Sequence, residues 1–305
     1  MKDASFRGVV PALTTPFHPD LSLDADGFAT LADTVIKDGV DALLVNGCTG
    51  ESWALTTDER AVIFRTAAEV AKGRVRVIAG CSAITAAETI GKIRQAEAAG
   101  CDFAMVSPPW YVMPGPDEIM DHYRAVLDAT NIPVVLYNIP RRTGVQLTVE
   151  MVDQLADHPK VVAIKESSKD WGILSSVIRR TSNRISVFAG YASFFGLAAI
   201  TEGAVGYMDS GTPVFGTRSP EFYRAAVAGD LPTARRIQIE MAGMLDSFFK
   251  LGTFPASVKA SLDLIGRPGG PTRAPIKPLN AQQRETLRQA MVAANFIPGD
   301  RVAAE

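Results

Sequence analysis

The strongest chemical signal in the chain is a lysine that closes an apolar run, Lys165 at the end of VVAIK. An ammonium buried without a partner is costly, so burial drives the group toward its neutral form. A neutral amine is what addition to a carbonyl requires. A lysine that snorkels to solvent is the plain alternative. Tyr137 closes another apolar run and is followed by the loop NIPRRTG, which carries Arg142. A phenol can move protons, and a guanidinium can grip a carboxylate in bidentate fashion. A half-buried packing tyrosine and a solvated loop arginine remain open. A third feature is NGCTGES, Asn46 to Ser52, where Gly47 and Gly50 flank Cys48 and Thr49. Backbone N–H groups beside a threonine hydroxyl suit a carboxylate or phosphate, though an ordinary tight turn reads the same way. The loop SPPWYV presents Trp110 and Tyr111, for chemistry, packing or a subunit contact, while Gly190 and Met208 end two further runs.

These residues need a scaffold that gathers strand ends. Eight short β-rich runs begin at Val9, Ala42, Val75, Phe103, Val134, Val161, Ile185 and Ala204. Stretches of helical period alternate with them, as in Phe28, Leu31, Ala32, Val35 and Ile36. Thr56-x-x-Glu59 and Thr85-x-x-Glu88 read as capping boxes, and Pro116 suits a first helical turn. The helix after Thr56 is expected to bury Ala61, Phe64, Ala68 and Ala71. Eight β-α units favour a closed (β/α)8 barrel, a TIM barrel in the α/β class, whose active sites sit at the C-terminal ends of the strands. The glycine fingerprint of a dinucleotide-binding open sheet is missing after the first run. The barrel is expected over 1–219. A helical extension over 220–305 is expected to pack on it, with helices at Leu231–Phe249, Ala256–Ile265 and Ala281–Asn295.

Composition narrows the partners. The 305 residues are 47% hydrophobic and 21% charged with a net charge of −2, and no basic block suggests nucleic acid or a membrane surface. No apolar stretch approaches a membrane span, and MKDASFRGVV lacks the features of a signal peptide. Three cysteines, Cys48, Cys81 and Cys101, form no disulfide framework, so a reducing cytoplasm is the simplest inference. Three histidines without metal-ligand spacing give no reason to expect a metal.

Taken together, GVVPALTTPF, GCTGES, PPWY, YNIPRRTG, IKESS and TRAPIKPL resemble the dihydrodipicolinate synthase / N-acetylneuraminate lyase family over nearly the whole chain. The resemblance implies a lyase of the class I aldolase type with no separate cofactor, forming a Schiff base between Lys165 and a small 2-oxo acid, with pyruvate the leading candidate. It implies that Tyr137 shuttles protons, that Thr49 and its loop bind the substrate carboxylate, and that Gly190 and Met208 line the pyruvate pocket. Tyr111 matches a tyrosine that reaches across a dimer interface to complete a proton relay, which implies a homotetramer of tight dimers, or a homodimer. Arg142 matches the arginine that binds the carboxylate of aspartate semialdehyde in the synthases, and it favours the synthase-like branch. Cys48 departs from the pattern, because the synthases place there a threonine hydroxyl linking the two tyrosines and a thiol is a much poorer relay. Thr57, Arg60 and Ile84 replace the residues of the lysine-feedback site, so lysine inhibition is not expected.

The expected reaction is condensation of pyruvate with aspartate semialdehyde. The alternatives on the same scaffold are a 2-keto-3-deoxy sugar-acid aldolase or dehydratase, and an N-acetylneuraminate lyase-like enzyme. A catalytically silent 2-oxo-acid sensor is disfavoured by the joint presence of Lys165, Tyr137, Thr49 and Tyr111. A phosphate-handling barrel would want a glycine-rich nest after the seventh and eighth strands, which the sequence lacks.

Overall fold

A computed structural model describes residues 6–298; the outermost parts of the expected spans, 1–5 and 299–305, lie outside the described residues. The eight apolar runs form parallel strands: β1 (Gly8–Pro11), β2 (Ala42–Val45), β3 (Arg76–Gly80), β4 (Phe103–Val106), β5 (Val134–Asn138), β6 (Val161–Glu166), β7 (Ser186–Ala189) and β8 (Gly206–Asp209). They pair in the order β1-β8-β7-β6-β5-β4-β3-β2. A parallel bridge between Ala12 and Leu44 brings the two ends together, with the Leu13 N–H donating to the Leu44 carbonyl at 2.9 Å. Pairing nearly all the way round leaves the strands few open edges, and helices cover the outside, so both faces of each strand are apolar.

The helices are α1 (Ala25–Lys37), α2 (Thr57–Ala71), α3 (Ala86–Ala98), α4 (Pro116–Ala129), α5 (Pro140–Thr143), α6 (Val149–Leu155), α7 (Trp171–Thr181), α8 (Ala192–Glu202), α9 (Thr212–Phe215), α10 (Arg218–Ala228), α11 (Leu231–Lys250), α12 (Phe254–Leu264) and α13 (Ala281–Ala293). Thr56 and Glu59 close the capping box of α2 in both directions, and Pro116 opens α4. The expected Phe64 and Ala71 of α2 are buried, joined by Arg60, Ile63 and Ala67 in place of Ala61 and Ala68. Ala61 and Ala68 are only partly buried, because the larger Ile63 takes the core position. The expected junction at 219/220 falls inside α10, whose carbonyl at Ser219 accepts the buried Tyr207 hydroxyl of β8 at 2.7 Å. No described helix is long and apolar enough to cross a membrane.

Side chains alternate across each strand. The interior positions include Val10, Leu44, Ile78, Met105, Val135 and Met208, which form one buried cluster apart from the shell between sheet and helices. Phe6 seals the N-terminal end of this cluster, stacked on Phe103 at 4.4 Å between ring centres. The opposite end is left for chemistry.

One buried tie between the C-terminal segment and the barrel centres on Glu51. Lys259 of α12 donates to the Glu51 carboxylate at 2.5 Å and to the Pro271 carbonyl at 2.7 Å. The second oxygen of Glu51 accepts the Arg273 backbone N–H at 2.9 Å. Arg273 in turn forms a two-pronged ion pair with Glu59, and both cations lie over the Phe17 ring. Burial pushes the Lys259 pKa down despite the pull of Glu51, so the lysine is worth its place only while that carboxylate faces it. Replacing Lys259 with Met strands the Glu51 carboxylate in the interior and is expected to cost about 3–5 kcal/mol in denaturant unfolding. A loss below about 1 kcal/mol would show that Glu51 finds water once the lysine is gone.

Candidate active site

Lys165 and Tyr137 are paired across β5 and β6. Both occupy interior positions at the open end of the barrel, 5% and 7% exposed respectively. The Lys165 Nζ lies 4.7 Å from the centre of the Tyr137 ring. Burial lowers the Lys165 pKa to about 8, while the Asp209 carboxylate and Cys48 pull the other way. Burial is also the first reason the Tyr137 phenol titrates well above its usual range, with Cys48 and Tyr191 adding to it and Arg142 and Ser167 opposing it. The pair therefore presents an amine within reach of neutrality and a phenol that keeps its proton.

The strands that present this pair are braced on their outward side. Asn138 and Glu166, one step beyond Tyr137 and Lys165, share a hydrogen bond of 2.7 Å. The other Glu166 oxygen accepts the Ser168 N–H at 2.6 Å, and Asn138 accepts from the Leu147 N–H at 3.0 Å. These bonds fix the backbone on either side of the reactive side chains.

Thr49 is buried at 3% exposure, and its hydroxyl donates to the Ser210 hydroxyl at 2.8 Å. The loop that holds it turns through Asn46 and Glu51, both at positive φ. The Asn46 side-chain amide donates to the Gly80 carbonyl at 2.6 Å, and the Thr15 hydroxyl donates to the Gly50 carbonyl at 2.7 Å. Glu51 then anchors the end of the loop on Lys259. Thr49 is thus held between β8 on one side and the C-terminal segment on the other.

An inner pocket joins Lys165 to Thr49, Ser167, Gly190, Tyr191 and Ser210. An outer chamber of about 270 Å³ extends from it toward Ser52, Trp53, Lys92 and Trp110. Cys48, Tyr137, Ile139 and Arg142 line both spaces and form the partition between them. Gly190 matters because a Cβ there would lie 1.8 Å from the Ser167 hydroxyl, so only glycine leaves that hydroxyl its place.

The structure brings Lys165, Tyr137, Thr49, Cys48, Arg142 and Gly190 together at one opening. Met208 does not join their wall: it is fully buried in the interior layer beneath, opposite Val10. Ser210, two residues further along the same face, takes the wall position. Tyr111 is 86% exposed at φ 70 and stands away from the pocket in a single chain. Its neighbours Val112 and Met113 are also exposed, whereas Trp110 faces the outer chamber. Sequence reasoning missed Ser167, Ser210 and Tyr191. The first two lie two residues beyond Lys165 and Met208, so the alternation of a strand would have found them. Among the described residues no group of three or more His, Cys, Asp or Glu is placed to hold a metal ion.

Comparison with known proteins bears on this arrangement. The family model described as "Dihydrodipicolinate synthetase family" matches residues 5–294. A 4-hydroxy-tetrahydrodipicolinate synthase of Acidothermus cellulolyticus is 36% identical, over 97% of this chain and 95% of that protein. A crystal structure of the synthase of Cyanidioschyzon merolae with lysine bound superposes with a TM-score of 0.91 at 32% identity, covering 96% of this chain and 99% of that one. YagE, a prophage protein of E. coli K12 crystallised in complex with pyruvate, superposes with a TM-score of 0.91 at 28% identity over 96% and 99% of the two chains.

The Lys165 pKa yields a test by pH. Only the neutral amine adds to a carbonyl, so kcat/KM for the 2-oxo acid should rise tenfold per unit below about pH 8 and level off above it. An acid limb that keeps rising to pH 10 would mean that burial does not lower this amine.

Proposed function

Since the chain belongs to the dihydrodipicolinate synthetase family, we propose that it is a lyase of the synthase type that joins pyruvate to aspartate semialdehyde through a Schiff base on Lys165. The observation that carries this reading is the buried amine facing a buried phenol, with the Thr49 loop beside them. Neutral Lys165 adds to the 2-oxo carbon while the Thr49 hydroxyl and the neighbouring N–H groups hold the carboxylate. Tyr137 gives its proton to the hydroxyl of the carbinolamine, which leaves as water, and the imine nitrogen is left with a positive charge. The phenolate, stabilised by that charge, takes a proton from C3, the enamine attacks the aldehyde carbon, and Tyr137 returns that proton to the aldehyde oxygen as the iminium re-forms. Water then adds to the new imine and frees Lys165. No cofactor enters these steps.

Arg142, at the partition of the two spaces, supports an acceptor with a carboxylate. The exposed Tyr111–Val112–Met113 run supports a homodimer or homotetramer in which a second copy covers it and the Tyr111 phenol enters the relay. The absence of a described membrane-crossing helix agrees with a cytoplasmic enzyme of small-molecule metabolism. One observation favours a second reading, a 2-keto-3-deoxy sugar-acid aldolase or dehydratase. The outer chamber offers Ser52, Ser82 and Ser107 beside the Cys48 thiol, a wall suited to a hydroxylated substrate.

Borohydride reduction with pyruvate should mass-tag Lys165, and Lys165→Ala should abolish the tag; an adduct elsewhere rejects the mechanism. Condensation with aspartate semialdehyde, assayed beside cleavage of deoxy sugar acids, separates the two readings. Tyr137→Phe should lower kcat by about 10²-fold or more with a smaller change in pyruvate binding, because its task is proton movement. Equal losses in both would assign the phenol to binding.

A further inference from the structure

Two turns on the wall of the inner pocket are joined by a buried carboxylate that the steps at Lys165 leave unassigned. Asp209 is the last residue of β8, between Met208, which fills the barrel interior, and Ser210, which lines the pocket. Alternation along the strand turns its side chain the other way, toward the helix side, where Tyr207 also packs. That side is apolar, and Asp209 is only 2% exposed. A carboxylate in such a place needs donors or a cation to hold its charge.

Its donors come from two different turns. One oxygen accepts the Gly211 N–H at 2.5 Å, and the other accepts the Ala192 N–H at 3.2 Å. Gly211 follows Ser210, whose hydroxyl accepts from the Thr49 hydroxyl at 2.8 Å. Ala192 opens α8 and follows Gly190 and Tyr191, two more walls of the same pocket. The backbone of Asp209 is fixed in turn by β1, with Pro11 as its register partner and the Ala12 N–H donating to its carbonyl at 2.9 Å. Three wall residues from two separate turns therefore depend on one side chain. A neutral acceptor could meet the same N–H groups, whereas a full charge calls for a positive partner. Burial pushes the Asp209 pKa up, while the Gly211 N–H, the Lys165 charge and the Ala192 N–H pull it down.

We propose that Asp209 is a positioning residue for the Schiff-base chemistry. Its carboxylate clamps the turns after β7 and β8, which sets Gly190, Tyr191 and Ser210 on the pocket wall, and its charge balances the positive nitrogen formed on Lys165. Asp209 lines neither the inner pocket nor the outer chamber, so it acts through two backbone N–H groups and through its field. The ionisable groups about the carboxylate are Lys165 on β6, Tyr191 after β7 and Tyr207 on β8 itself. Those sharing the pocket with Lys165 are Cys48, Tyr137, Arg142 and Tyr191. The charge half of the inference rests on the reading of Lys165 as the carbon-joining centre, whereas the clamp stands without it.

Two variants of the full chain test this. Asp209→Asn keeps the shape and one acceptor oxygen but loses the charge, and Asp209→Ser removes both arms of the clamp. Both should fold, since each takes a buried charge away and Lys165 can answer by losing its proton. Hydrogen exchange without substrate should run about tenfold faster at the Ala192 and Gly211 amides in Asp209→Ser, with the barrel strands unchanged. Loss of the negative charge lowers the Lys165 pKa further. The acid limb of kcat/KM for pyruvate should therefore move from about pH 8 to about pH 7 in Asp209→Asn. The iminium loses its balancing charge at the same time, so kcat on the plateau should fall about tenfold. An acid limb that stays at about pH 8 would make Asp209 a structural group only and overturns the proposal. Unchanged exchange at both turns, or failure of both variants to fold, overturns it as well. Failure of borohydride trapping on Lys165 in the native chain would instead overturn the proposed function, and hydrogen exchange would then decide the clamp by itself.

Discussion

One constraint organises the structure: an amine sits in the apolar interior of a nearly closed barrel, where its charged form is disfavoured. Lys165 can hold that place because β6 is the strand next to β5 and both present interior side chains at the same height. The cost of burying the amine is also the source of its reactivity, since desolvation lowers the pKa to about 8. Asp209 and Cys48 limit the shift, so the amine stays near neutrality and does not fall far below it. Tyr137 answers the same environment in the opposite sense, because burial keeps an acid protonated and a base unprotonated. A single apolar setting thus leaves an amine close to neutrality beside a phenol that keeps its proton.

The supporting interactions lie out of contact with the pocket. The Asn138–Glu166 bond holds the ends of β5 and β6 from the outside. The Glu51–Lys259 pair holds the Thr49 loop from the C-terminal segment, more than two hundred residues away. That buried pair ties the helices after the barrel to the pocket: α12 supplies the cation that anchors the Thr49 loop. The segment around Arg273 closes over the same loop and adds the Glu59 contact, tying α2 to it.

The two connected spaces divide the chemistry. The inner pocket is narrow, largely apolar and built around Lys165, which suits a small 2-oxo acid. The outer chamber opens beyond it toward Ser52, Trp53 and Trp110. The shared wall of Cys48, Tyr137, Ile139 and Arg142 lets one set of side chains meet both substrates. Cys48 offers only a weak S–H donor in that wall, whereas Ser167 and Ser210 place hydroxyls in the inner pocket. The Ser167 hydroxyl is buried beside the Tyr137 phenol and opposes the rise of its pKa.

Local pattern alone read the eight strands and the starts of α2, α3, α4, α11 and α13, and it placed Lys165 and Tyr137 near the ends of their strands, because strand alternation and capping are set by near neighbours. The same logic misplaced part of the buried face of α2 and could not tell that Met208 fills the interior while Ser210 forms the wall. Whether a side chain ends beneath a pocket or in it depends on where the strand stops relative to its partners. Only the tertiary structure joined Glu51 to Lys259, gathered Lys169 among rings at the start of α8 and the end of α11, and left Tyr111 exposed. Those contacts pair residues far apart along the chain, and no local spacing encodes how a closed sheet brings them together.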